Sequence, residues 1–201
     1  MKVTNIFLVV TVVFVSHCSN LLKSEIDYSS KYFPLSEGNI WYFDYPEPET
    51  NPWAIRKISD SFSKNNKIYY DWTYGEGLDI CYKVRADKNG NILILSDDRE
   101  YLWFDFSQDS GSTYIFEKDE NFGENTYQYN VYVNTNRTIE VPAGIFDSCI
   151  VLIFDILQVV DEEISYTFAP GVGIIQIVND GWSNHQLTKA VIDGNQVGIW
   201  E

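Results

Sequence analysis

Ile80-Cys-Tyr-Lys-Val-Arg-Ala-Asp-Lys-Asn-Gly-Asn-Ile-Leu-Ile-Leu95 reads as strand, turn and returning strand. Ile80, Tyr82, Val84 and Ala86 alternate with Cys81, Lys83 and Arg85, the period-two pattern of a half-buried strand. Asn89-Gly90 supplies the two positive-φ positions of a type I′ hairpin turn, and Ile92–Leu95 then returns antiparallel. The same period recurs on both sides of this hairpin. Ile68, Tyr70, Trp72 and Tyr74 form one alternating set; Tyr127, Tyr129, Val131 and Val133 form another. Further strands are expected at 40–45, 53–59, 101–106, 137–141, 148–157, 164–168, 173–178, 186–192 and 197–200. No stretch of twelve residues carries a 3.6-residue apolar period. These patterns predict an all-β fold with little helix: a curved antiparallel sheet, half-barrel or barrel-like.

The chain has 201 residues, 16% of them aromatic and 21% charged. So aromatic a chain is neither disordered nor collagen-like nor a coiled coil. Its formal charge of −15 repels phosphate backbones, which argues against a nucleic-acid partner. Lys2 precedes the ten-residue apolar run Ile6–Val15, too short to span a bilayer (about 20 residues) and suited to an export signal. Val15-Ser-His-Cys18 resembles a bacterial lipobox, although His17 stands where a small residue is usual. Lipidation of Cys18 is the expectation, with ordinary cleavage after Cys18 as the alternative. The expected organisation is a signal over 1–18, a polar tether over 19–37 and one antiparallel β domain over 38–201.

Residues with chemical potential are few. His185 is the one histidine beyond the signal and lacks a neighbour at metal-ligand spacing, so neither metal nor cofactor is expected. Cys81 and Cys149 form an even pair for an oxidising compartment, but Cys81 shares its face with Lys83 and Arg85, and Cys149 shares one with Val151 and Ile153. A disulfide and two free thiols are both open. Asp97-Asp98 and Asp161-Glu162-Glu163 read as polar loops between strands. Aromatics fall on both faces of several strands, which leaves a surplus beyond a single thin core. Trp72 and Trp103 are the candidates for lining a concave face.

Five stretches, taken in order, resemble a family of bacterial lipoproteins and secreted β-rich domains. They are Tyr32-Phe-Pro-Leu-Ser-Glu-Gly-Asn-Ile-Trp-Tyr42, Asp87-Lys-Asn-Gly-Asn91, Leu102-Trp-Phe-Asp-Phe106, Val141-Pro-Ala-Gly-Ile-Phe-Asp-Ser-Cys149 and Phe168-Ala-Pro-Gly-Val-Gly-Ile-Ile175. Gly111-Ser-Thr113 departs from the family's more usual Gly-Asp-Thr. The resemblance implies an exported β-rich domain and carries over no catalytic residue. Read physically, Asn89, Gly90, Pro142, Gly144, Pro170, Gly171 and Gly173 set a backbone path rather than a reaction.

The expected role is therefore non-enzymatic: a cell-envelope lipoprotein or secreted binding module that holds an apolar ligand on a concave aromatic face. A glycan-binding module and a carboxylate hydrolase are the alternatives. Partners would be an apolar small molecule, a glycan or an envelope protein. The membrane would be met only through the N-terminal lipid, at the outer membrane or cell surface; without it the protein would be periplasmic or secreted. Cys18→Ala is predicted to move the protein from the membrane to the soluble fraction with its domain still folded. Mass spectrometry of the wild-type mature chain, showing an unmodified N-terminus beyond residue 18, would contradict lipidation.

Overall fold

The computed structural model describes residues 27–46, 51–75, 80–118, 127–156, 159 and 162–200. Thirteen strands follow one another: β1 (Ile40–Phe43), β2 (Ile55–Lys64), β3 (Lys67–Tyr74), β4 (Cys81–Ala86), β5 (Ile92–Ser96), β6 (Arg99–Phe104), β7 (Thr113–Lys118), β8 (Tyr127–Val141), β9 (Gly144–Asp155), β10 (Ile164–Ala169), β11 (Gly173–Asn179), β12 (Ser183–Ile192) and β13 (Asn195–Gly198). A single 3-10 turn at Pro52–Ala54 is the helical content of the described residues. The fold is all-β and antiparallel, as the alternation predicts. β7 was not foreseen, and 127–141 forms one long strand instead of two segments.

Strand order explains the shape. Neighbours run β6-β5-β4-β3-β2-β1-β12-β11-β10-β9-β8-β7, with β13 pairing beside β12. The chain starts near the middle, meanders out to one edge, crosses to the other edge and meanders back. The two edges, β6 and β7, are thus joined by only the eight residues 105–112. That connection reaches about 30 Å at most, whereas twelve strands laid flat would put their edges roughly 50 Å apart. The sheet must curl until its edges approach, giving a nearly closed barrel. Tyr114 on β7 clips the approach: its hydroxyl donates to the carbonyl of Trp103 on β6 at 2.8 Å and accepts from the Asp105 amide at 3.2 Å.

Turn chemistry follows the strand twist. Asn65-Asn66, Asp97-Asp98 and Asp193-Gly194 each place two consecutive residues at positive φ, the I′ requirement. The hairpin at 87–91 forms, but by a different route from the one predicted. Gly90 has φ +84° while Asn89 is not left-handed. The Asp87 carboxylate organises the loop instead, accepting from the Asn89 amide at 2.8 Å and the Asn91 amide at 3.0 Å. Gly144 (φ +139°) closes the β8–β9 hairpin after Pro142, and Gly171 (φ +75°) follows Pro170 in a tight bend. That bend presents the Val172 carbonyl to the indole N–H of Trp41 at 2.7 Å. Gly173 (φ +97°) then lies so close that an added Cβ would sit 3.1 Å from the same indole.

The expected tether does not hold over 27–37. Phe33 is fully buried, its ring parallel to Trp41 at 5.9 Å and edge-on to Trp72, Phe104 and Phe168 at 5.5, 6.0 and 6.2 Å. The Lys31 carbonyl accepts from the Gly171 amide at 2.7 Å. This segment lacks strand periodicity because it is a plug, held by one deep ring and by backbone bonds. Residues 19–26, like Cys18, lie outside the described residues.

On the outer face of β3–β6, Glu100 gathers Arg85, Tyr69 and Lys67. Arg85 Nη2 donates to it at 2.8 Å and Lys67 Nζ at 2.9 Å, and the Tyr69 hydroxyl donates as well. The Arg85 guanidinium is the largest influence holding the Glu100 carboxyl down at about 2.

Two predictions follow from this packing. Phe33→Ala should cost about 3–5 kcal/mol in chemical denaturation; a loss below 1 kcal/mol would show the segment to be a loose tether after all. The depressed Glu100 carboxyl contributes stability that is complete above pH 4.5 and lost as pH falls toward 2. Glu100→Gln should therefore cost about 1–3 kcal/mol at pH 7 and flatten the decline in urea midpoint over that acid window. An unchanged decline would remove Glu100 as its cause.

Candidate functional site

The break in the ladder between β6 and β7 opens onto a cleft of about 100 Å³. From one side of the seam, β4, β5 and β6 contribute Tyr82, Ile94 and Trp103. From the other, β7 to β10 contribute Phe116, Tyr129, Phe154, Ile164 and Tyr166. Period two explains the selection, since Tyr82 shares its face with buried Val84, and Tyr129 with buried Val131 and Val133. None of the eight lining residues carries a formal charge.

The two tryptophans expected at a concave face part company here. Trp103 lines the cleft, whereas Trp72 stands behind it as core, 1% exposed, with ring centres 5.3 Å apart. Tyr82 bridges them, 5.3 Å from Trp103 and 5.8 Å from Trp72. Burial raises the Tyr166 phenol well above its ordinary pKa, with Tyr74 and Tyr82 adding to the shift and Arg56 opposing it. The phenol therefore stays protonated and can donate a hydrogen bond to a ligand.

Arg56 was missed by sequence reasoning, although a signal existed. It falls in an expected strand, in phase with Ala54 and Ile58, and all three are buried. A basic residue at an inward position of a strand is the feature to look for. Its guanidinium lies 3.7 Å above the Tyr74 ring and 5.8 Å from that of Phe43. Nη1 donates to the carbonyls of Trp53 and Ile55, and Nε is buried with no partner among the described residues. His185 stacks flat on Tyr45 at 3.4 Å, and its Nδ1 is also buried and unpartnered among the described residues. Burial is the main cause that lowers the His185 pKa, so the ring is neutral at pH 7.

The cysteine bridge is not formed. Cys81 is exposed on β4, Cys149 is buried on β9, and both thiols are free. The Cys149 thiol donates to the Phe146 carbonyl at 3.3 Å instead. Asp97-Asp98 is the β5–β6 turn, with Asp98 paired to Lys64; Glu162 and Glu163 are exposed, and Asp161 lies outside the described residues. Among the described residues no group of three His, Cys, Asp or Glu converges to hold a metal ion.

A second hollow of about 380 Å³ lies where the N-terminal segment crosses the barrel, between Asp27, Ser30, Leu35, Tyr70 and Asp193. The Tyr70 hydroxyl donates to Asp27 at 2.8 Å, and burial followed by that bond raises its pKa. The first described residues of the chain thus form one wall of this hollow.

No protein-family model matches the chain, and comparison with curated proteins and with solved structures finds no match.

Proposed function

We propose that this protein is a non-enzymatic binding module of the cell envelope, exported and held by a lipid on Cys18, whose ligand enters the aromatic cleft at the β6–β7 seam. The observation that carries the reading is the cleft's position and lining: an uncharged wall of Trp103, Tyr82, Tyr129 and Tyr166 where the ladder of the described strands breaks between β6 and β7. The lipobox-like stretch and the motifs resembling bacterial lipoproteins support the location. The barrel is apolar inside and charged outside, the reverse of a membrane-spanning barrel, which favours a lipid anchor as its contact with a bilayer.

Size narrows the ligand. Sites for drug-sized molecules hold about 300–1,000 Å³, and a cavity of about 150 Å³ admits benzene. At about 100 Å³ the cleft suits one ring or a short branched chain that also rests on the seam outside. A long acyl chain finds no room, because Phe33, Phe104, Phe154 and Phe168 fill the interior. The phenol hydroxyls of the wall favour a second reading, a single sugar ring stacked on Trp103. A carboxylate hydrolase is disfavoured at this cleft, because none of its eight lining residues is Asp or Glu.

The test is a tryptophan-fluorescence titration of the mature protein with benzyl alcohol, methyl glucoside and palmitate, repeated with Trp103→Phe. Saturation by benzyl alcohol or the glycoside, with most of the signal lost in the variant, is the expected result. Saturation by palmitate alone, or by none of the three, would overturn the reading.

A further inference from the structure

Two arginines are buried in this barrel, and the chain treats them differently. Arg85, 8% exposed, turns the Nε–Nη2 edge of its guanidinium to Glu100, both nitrogens donating to the carboxylate. This bidentate pairing is how a buried guanidinium is usually compensated. Arg56 is buried more deeply, at 3% exposed, and none of the ion pairs among the described residues includes it. Nη1 is spent on two backbone carbonyls and the flat face on Tyr74, which leaves Nε bare. An unpaired buried charge costs several kcal/mol, and buried polar atoms without partners call for an explanation.

The position of Arg56 supplies one. Its guanidinium rests on the Tyr74 ring, the Tyr74 ring lies 6.2 Å from that of Tyr82, and Tyr82 is in the cleft wall. The lining itself is uncharged, so Arg56 is a cation standing one ring behind the cleft wall. The net charge of −15 acts over the surface, where salt screens it beyond about 8–10 Å, and does not cancel a buried cation nearby.

We propose that the cleft selects anions: its ligand is a small carboxylate whose ring or short chain lies against Tyr82 and Tyr166 and whose charge is held by the unpartnered Nε–H of Arg56. This rests on the binding reading above and deepens it. Tyr74 is the side chain that must yield for direct contact, and the protonated Tyr166 phenol offers the carboxylate a second donor.

Three ligands that share one ring but differ in charge test this: benzoate, benzyl alcohol and benzylamine, titrated into the mature protein by calorimetry. Benzoate should bind about tenfold or more tighter than benzyl alcohol, and benzylamine weakest. In Arg56→Met the ratio of benzoate to benzyl alcohol affinity should fall to about one; Arg56→Lys should recover only part of it, lacking the planar fork. If either variant fails to fold, the wild-type series decides alone. Benzyl alcohol binding as tightly as benzoate would overturn the anion site and leave the binding reading standing. Binding by none of the three would overturn both.

Discussion

Phe33 is the contact on which the interior depends. A sheet curled this far encloses a space that its own inward side chains must fill, and the aromatic cluster does so from all sides at once. Phe33 comes from outside the sheet and meets Trp41 of β1, Trp72 of β3, Phe104 of β6 and Phe168 of β10. It thereby ties the outward meander to the returning one, adding to the β1–β12 ladder, the crossing at residues 105–112 and the packing of Phe104 on Phe154 and Phe168. The backbone supports the same junction: the bend at Pro170-Gly171 accepts Trp41 through the Val172 carbonyl and meets the plug through the Lys31 carbonyl.

The cleft is a consequence of the same topology. A chain that begins mid-sheet and returns leaves its two edges adjacent but unpaired, and an unpaired edge is a liability in water. Here the edges are clipped by Tyr114 and form no ladder with each other, and the opening is lined by side chains from both halves. The cleft and the protected edges thus arise at one place. Glu100 ties the outer face of the β3–β6 wall together through its three partners, while Tyr82 and Trp103 face inward.

Much of this was legible in the residues. The alternation in 68–74, 80–86 and 127–133 identified strands and the faces they bury, because period two is imposed by the backbone of each strand alone. Turn residues were legible for the same local reason, although Asp193-Gly194, as strong a signal as Asn89-Gly90, was overlooked. The 87–91 hairpin formed with another geometry because the Asp87 carboxylate competes for the loop amides. β7 escaped notice because Thr113-Tyr-Ile-Phe-Glu-Lys118 has one deeply buried member, Phe116, and an exposed Ile115 that breaks the alternation.

The sequence by itself determined the all-β class, the antiparallel pairing of neighbouring segments and the aromatic surplus, all of which follow from short-range pattern and composition. Only the tertiary structure decided that residues 27–37 plug the barrel, that Trp103 lines a cleft while Trp72 does not, that Cys81 and Cys149 stay apart, and that Arg56 is buried without a carboxylate among the described residues. Those outcomes depend on which strands become edges and how far the sheet curls, and both are set by contacts between residues more than sixty positions apart, such as Phe33 with Phe168 or Trp41 with Val172. Local propensity carries no information about such pairings, since the free energy that selects them comes from packing the whole interior at once.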